Sequence, residues 1–282
     1  MPLFDAHCHL QFRPDDAEAM VATAIERGVT GAAVCATREA DWPAVAALAA
    51  AHPSFVAPSF GLHPWWLGEA EDGWEGRLKE VLVRHPCAGV GESGVDKAAR
   101  AGTRFEDGST VSLDVQVHAL QAHAALAVEL NRPLTVHCVR GAGTLREALS
   151  SISPSFPAGV VVHGWHGARA AGELLLGMEG VCLSLGLRSV LDAAPGSLSW
   201  IPLDRMMLET DAPDGLSPHS AAALAGALAP APPPGPLGRP VNVPANLPLV
   251  LAAAAAATGV GEAELAAAAT STARRLFCGG AG

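Results

Sequence analysis

Histidines able to bind metal appear within the first ten residues: His7 and His9 flank Cys8 in FDAHCHL. On a strand, residues i and i+2 point the same way, so this pair can grip one ion. Beyond it, short apolar runs repeatedly end in a His, Glu or Asp. These are His63 in GLHPWW, Glu92 in GVGESG, His137 in PLTVHC, His163 in VVVHG and Asp211 in LETDAP. A lone buried histidine is usually a satisfied core residue, and that reading is open to His137 and His163 one by one. It does not account for the set. His7, His9, His137 and His163 with Glu92 and Asp211 exceed what one tetrahedral ion needs. They suit two divalent ions, Mg2+, Mn2+ or Zn2+, that share a carboxylate and a water. The chain has only two lysines, Lys79 and Lys97. A carboxylated lysine as the bridge is therefore not expected, and Glu92 is the expected bridging group.

Such distant residues need a scaffold that gathers them. Eight short apolar runs alternate with helical stretches: 3–6, 31–36, 55–60, 89–92, 134–137, 160–163, 181–185 and 206–209. Helices are expected near 15–27, 39–51, 73–84, 111–130, 143–150, 167–178, 244–257 and 261–277. In the longest, Val111, Val115, His118, Ala122 and Ala125 are read as one face, with a stop at Asn131-Arg132-Pro133. Repeated strand–helix units imply a parallel sheet. Eight of them in 282 residues favour a closed α/β barrel, the (β/α)8 or TIM barrel, as one domain spanning 1–282. In such barrels the active site lies at the C-terminal ends of the strands, where these residues fall.

Composition narrows the function. Half the residues are hydrophobic and 16% are charged, which excludes a disordered chain. With 18 Lys plus Arg against 28 Asp plus Glu, the net charge is −10. That argues against a basic, electrostatically driven nucleic-acid binder but leaves room for bound metals to supply local positive charge. The six cysteines fit neither a CxxC zinc site nor a secreted framework, and they read as reduced core residues. No signal peptide and no membrane-length apolar run are visible. A cytoplasmic protein with no membrane partner and no obligate protein partner is expected.

Several residues have two readings. His63 can be a metal ligand, a substrate contact or a helix-start residue. Trp65-Trp66 beside it can stack on a base or cover the barrel rim. Arg140, three residues past His137, is the best choice for a phosphate contact, with Arg13 and Arg239 behind it. The bland alternative for each is a surface charge. His166 and His219 are minor candidates for substrate contact, and His52, His85, His118 and His123 read as solvated or structural. The Pro-rich stretch 230–240 is a loop or lid on the strand C-terminal side, or a surface connection with no role.

Taken in order, these motifs resemble the TatD family of metal-dependent hydrolases, within the amidohydrolase-like barrels. FDAHCHL resembles the family's opening HxH, GLHPWW its GIHP turn, and GVGESGVD its GEIGLD. QVHALQAHAALAVELNRPLTVHC, VVHG, LETDAP, NVPANLP and the closing RRLF continue the same order. The resemblance implies a TIM barrel with two divalent metals and hydrolysis of phosphodiester bonds, as a DNase or 3′–5′ exonuclease acting on nucleic-acid ends. It implies His7, His9, Glu92, His137, His163 and Asp211 as metal ligands and His63 as a residue near the scissile phosphate. The role of Glu209 stays open. Ser93, Gly164-Trp165-His166, Cys138-Val139-Arg140 and the insert 98–110 depart from the usual pattern.

A mechanism follows from this ligand set. Asp211 takes a proton as water attacks, while Arg140 or His63 stabilises the charge developing on oxygen. The same centre can attack a carbonyl, so an amide or ester hydrolase such as a deacylase or lactonase is the enzymatic alternative. An inactive barrel serving as a binding or scaffold protein is the third reading.

Overall fold

The computed structural model describes residues 1–98, 111–234 and 238–279. Eight strands run in chain order through one parallel sheet: β1 Leu3–Cys8, β2 Val29–Cys35, β3 Val56–Phe60, β4 Gly89–Asp96, β5 Leu134–Val139, β6 Ser155–Val162, β7 Glu179–Leu185 and β8 Met206–Leu208. Between and after them lie α1 Ala17–Glu26, α2 Trp42–Ala51, α3 Trp74–Arg84, α4 Leu113–Leu130, α5 Ala142–Ile152, α6 Arg169–Leu176, α7 Leu187–Val190, α8 Pro218–Ala223, α9 Leu247–Thr258 and α10 Glu262–Phe277. The strands read as apolar runs because helices cover their outer faces and the barrel interior covers the inner ones.

The seam between the last strand and the first is closed just beyond β8. Asp211 N donates to His7 O at 2.9 Å and His9 N to Ala212 O at 2.6 Å. Buried Asp5 accepts from Thr210 N at 2.9 Å and from Thr210 Oγ1. The eighth strand is thus sewn to the first by the two motifs that carry His7, His9 and Asp211.

The interior is layered. Phe4, Ala6, Ala33, Val161, Cys182 and Met207 form an apolar layer that packs on Ala273, Leu276 and Phe277 of α10, which plugs the lower end. Phe4 and Phe277 stack with ring centroids 6.0 Å apart. Two residues further along their strands, Val161 gives way to His163 and Met207 to Glu209. The period of two turns an apolar floor into a polar upper layer.

Two expectations are corrected. The buried face of α4 is Gln116, Ala119, Leu120, His123, Ala124 and Ala127, whereas Val115 is 49% exposed and His118 is also outside. Ser112 caps the helix, accepting from Val115 N, so Val111 precedes it. The helix is rotated by two polar side chains with backbone partners to meet. Gln116 Oε1 accepts from Asp96 N at 2.7 Å and His123 Nε2 from Leu62 N at 3.1 Å. Of the cysteines, Cys8, Cys35 and Cys182 are buried, but Cys87 and Cys278 are exposed. Both stand just past a helix end, outside the apolar layers. Among the described residues no single helix is long and apolar enough to cross a membrane.

Candidate metal centre

Glu92 stands at the middle of the polar layer, 1% exposed. It reaches the middle because β4 bends: Gly91 and Gly94 have φ of +122° and +147°. At either position a Cβ would strike the backbone of β5, at Thr135 or His137, so only glycine fits. The two Glu92 oxygens face different neighbours. Oε2 lies 3.3 Å from His7 Nε2 and 3.5 Å from His9 Nε2. Oε1 lies 2.7 Å from His163 Nε2, 3.3 Å from His137 Nδ1 and 3.5 Å from His63 Nε2. Asp211 Oδ1 completes the first group, 3.6 Å from His9 Nε2 and 3.9 Å from His7 Nε2.

The outer nitrogens decide what the inner ones offer. His9 Nδ1 lies 2.7 Å from the Cys35 carbonyl, which can only accept, so His9 keeps its proton there and turns a lone pair inward through Nε2. His137 does the reverse: Nε2 faces Asp96 Oδ2 at 3.3 Å and Nδ1 turns inward. His163 has Glu209 Oε1 3.6 Å from Nδ1, near enough for charge but too far for a hydrogen bond. His63 caps a short 3-10 turn over Pro64–Glu69, its Nδ1 accepting from Trp65 N at 3.1 Å. Its neutral ring therefore carries the proton on Nε2, toward Glu92.

The crowding of imidazoles and carboxylates sets the electrostatics. Burial opposes ionisation of Glu92, yet the imidazoles, His163 foremost, hold its carboxyl well below the usual range. Burial, reinforced by His163, lowers His7 to about 4, and burial drives His63 well down. For His163, burial is outweighed by Glu92 and Glu209, and the ring is pushed well up. Burial raises Asp211 to about 7 against the pull of His163 and His9. Its side chain is 31% exposed, so water has access to it and screens part of that shift.

The residues fit a divalent ion. Buried Glu92 Oε1 and Oε2, His7 Nδ1 and His163 Nδ1 have no aligned hydrogen-bond partner. His7 and His9 bring their Nε2 atoms within 3.1 Å, as do His137 Nδ1 and His163 Nε2. Inward lone pairs crowded around a carboxylate are what a hard or borderline cation takes. Two compact donor groups result, His7–His9–Asp211 and His7–Glu92–His163; His63 sits with Glu92 and His137 in a third cluster, its Nε2 proton toward the carboxylate.

Comparison with known proteins agrees with this arrangement. The family described as TatD related DNase matches residues 4–278. This chain belongs to the TatD family. A 3′–5′ ssDNA/RNA exonuclease TatD from Pantoea vagans is 30% identical over 204 residues, covering 70% of this chain and 74% of that protein. Its counterpart from a Rahnella species is 33% identical over 196 residues, covering 66% and 68%. Among solved structures, the TatD homologue YjjV from Escherichia coli is 26% identical, with a TM-score of 0.76 over 98% of both chains. A TatD-family hydrolase from Entamoeba histolytica shares the fold, with a TM-score of 0.78 at 15% identity over 98% of both chains. Family and fold make the chain a metal-dependent hydrolase.

The TatD motifs bring His7, His9, Glu92, His137, His163, Asp211 and His63 together as expected from the sequence. They do not bring the arginines. Arg140 is exposed, with φ of +53°, and its side chain has no partner among the described residues. Arg13 pairs with Asp16 and donates to Pro233 O at 3.1 Å, tying the Pro-rich stretch to the first motif. Arg239 is exposed. Trp66 is buried beneath Arg38, 4.3 Å from its ring centroid, so it covers the rim rather than offering a stacking face. His219 pairs with Asp192, and exposed His166 bonds to the Gly164 carbonyl. Exposed Lys97 stays outside the cluster, as expected. Residues 99–110 of the insert and 235–237 of the Pro-rich stretch lie outside the described residues.

One residue of the centre escaped the sequence reading. Asp96 ends β4, because the strand runs four residues past Glu92. The alternation that puts Glu92 inside puts Asp96 on the same face, a signal present in GVGESGVD. Burial works against its ionisation, but His137 and Trp65 hold it down at about 2.

Proposed function

We propose that this TatD-family hydrolase is a phosphodiesterase that trims the ends of single-stranded DNA or RNA, with two divalent ions held around Glu92. The observation that carries this reading is the two-sided carboxylate. One Glu92 oxygen turns to His7 and His9, the other to His137 and His163. His7, His9 and Asp211 would hold one ion, His137 and His163 the other, and Glu92 would serve both. Bound there, the ions supply Lewis-acid charge and acidify a water.

The chain's own groups do the rest. Asp211 is partly open to water, where a carboxylate can take up the proton that an attacking water gives up. His63, neutral and protonated at Nε2, donates toward a non-bridging phosphate oxygen without adding a charge. Arg140, exposed three residues past His137 and outside the cluster, would contact a substrate phosphate from the surface. The printed names of the Pantoea and Rahnella relatives support nucleic acid as substrate.

With a net charge of −10 and no basic track, phosphate contacts should be few. Each phosphate neutralised on a single strand contributes about −0.7 to the salt slope, so binding should depend only shallowly on salt. The test is a panel of labelled single-stranded DNA, RNA and acyl or amide substrates with Mg2+, Mn2+ or Zn2+. Loss of terminal nucleotides from short and long oligonucleotides alike is expected. Intact phosphodiesters together with acyl or amide hydrolysis would replace this reading with the amidohydrolase one.

A further inference from the structure

We propose that Arg188 is a substrate-binding residue. Together with Arg140 it takes the backbone of a single strand over the ends of β5, β6 and β7, and so fixes the side of the barrel mouth on which the strand lies. The inference rests on the nuclease reading of the site and goes beyond it by giving the substrate a direction of approach.

Arg188 lies in α7, three residues past the end of β7. The chain reaches it through Gly186, where a Cβ would lie 3.5 Å from Glu209 Cγ, so this backbone runs along the edge of the polar layer. Leu187 is buried, while Arg188 is exposed and has no partner among the described residues. The acid one turn on, Asp192, lies 3.2 Å from His219 Nε2 instead. Arg140 is equally free after β5. Ser189 Oγ donates to Trp165 O at 2.5 Å and ties α7 to the loop after β6. Strands β5, β6 and β7 are neighbours in the sheet, so the two arginines bracket the end of β6, where His163 stands. Their strands are two ladder spacings apart, about 10 Å, a span of a few nucleotides.

The other side of the mouth repels a polyanion. After β1, β2 and β3, Arg13 and Arg38 are already paired with Asp16 and Glu69, and Asp15, Glu71 and Asp72 add exposed negative charge. On the β5–β7 side Arg169 is paired with Glu173 at 2.8 Å, which leaves Arg140 and Arg188 as cations that a phosphate can take. Exposed charges act over about 8 Å at physiological salt, so the two sides differ locally although the whole chain carries −10. Two guanidinium contacts to a strand agree with a shallow salt dependence.

The test combines binding and turnover in the full chain at saturating Mn2+. Binding is followed by fluorescence anisotropy of a labelled, cleavage-resistant phosphorothioate single strand across a salt series. Turnover is measured on the matching natural strand and on bis(p-nitrophenyl) phosphate, a phosphodiester with no strand attached. Arg188→Ala should weaken strand binding roughly 3- to 10-fold and make the salt slope shallower by about 0.7. KM for the natural strand should rise while kcat stays near that of wild type, and hydrolysis of the small diester should not change. Arg188→Lys keeps the charge and should restore the slope.

Strand binding and a salt slope that match wild type in Arg188→Ala overturn the inference and leave the nuclease reading standing. So does an equal loss on the strand and on the small diester, which would put the effect in the centre itself. Tighter binding by Asp15→Asn beside an unaffected Arg188→Ala also overturns it and puts the strand on the β1–β3 side. A wild-type protein that leaves the natural strand intact overturns the nuclease reading, and the inference with it. Arg188 is exposed and alanine is a good helix former, so Arg188→Ala should keep the wild-type thermal transition.

Discussion

On one side of Glu92, His9 and Asp211 take their places from the backbone; on the other, His137 and His163 face carboxylates. His9 is held by the Cys35 carbonyl, and Asp211, at φ of +55°, is held by its N–H on His7 O. Those bonds also close the barrel seam. His137 leans on Asp96, and His163 has Glu209 behind it. The first half is therefore inseparable from the fold. The second is adjustable chemistry laid over a finished sheet. Substitutions in the two halves should fail in different ways, and that difference can be measured.

The largest effect should come from the group common to both halves. Glu92→Gln keeps the shape but removes the shared charge, and turnover should drop by roughly three powers of ten or more, since several kcal/mol of electrostatic stabilisation are lost. Steady-state rates at saturating metal check this. Residual activity within tenfold of wild type would mean that Glu92 does not serve both groups.

Next comes the backbone-held half. Asp211→Asn should cost about two or more powers of ten in turnover while the main-chain bond to His7 O is kept. The thermal transition should stay close to that of wild type. A variant that turns over normally would remove Asp211 from proton transfer.

In the carboxylate-backed half, Glu209→Gln should act through affinity. A loss of roughly tenfold or more in binding of one ion is expected, with the other ion unaffected, by competition against a metallochromic chelator. Equal weakening of both ions would erase the distinction between the halves.

The smallest effect concerns stability rather than the centre. His123 is fully buried, bonds to Leu62 N and Ala119 O, and stacks on Trp74. Burial lowers its pKa from 6.5 to about 4. The unfolded chain thus binds the extra proton first. The stabilising contribution is complete above pH 6.5 and lost as pH falls through about 4. On the order of 3 kcal/mol is at stake. Urea unfolding between pH 7 and 4 should show the loss in wild type and a flatter profile in His123→Gln. Parallel profiles would assign the acid sensitivity to other groups.

These halves were not equally legible in the sequence. His7, His9, His137, His163 and Asp211 could be read because each follows an apolar run, and strand ends converge in a barrel. Glu92 could be read although it lies inside β4, because the run before it broke at glycines. Asp96 was hidden by the same glycines, which hid the continuation of the strand. The face of α4 was misread because apolar spacing was counted. Gln116 and His123 point inward to serve backbone groups in other elements. The tie from Arg13 to Pro233 and the covering of Trp66 by Arg38 join residues whose contact no local pattern encodes.

In the proposed function Glu92 stands between two ions, one in each half. Anomalous diffraction from crystals of the protein soaked in Mn2+ tests it most directly. Two peaks are predicted, one among His7, His9, Asp211 and Glu92 Oε2, the other among His137, His163 and Glu92 Oε1. A single peak, or peaks that leave either Glu92 oxygen without a metal neighbour, would contradict the account.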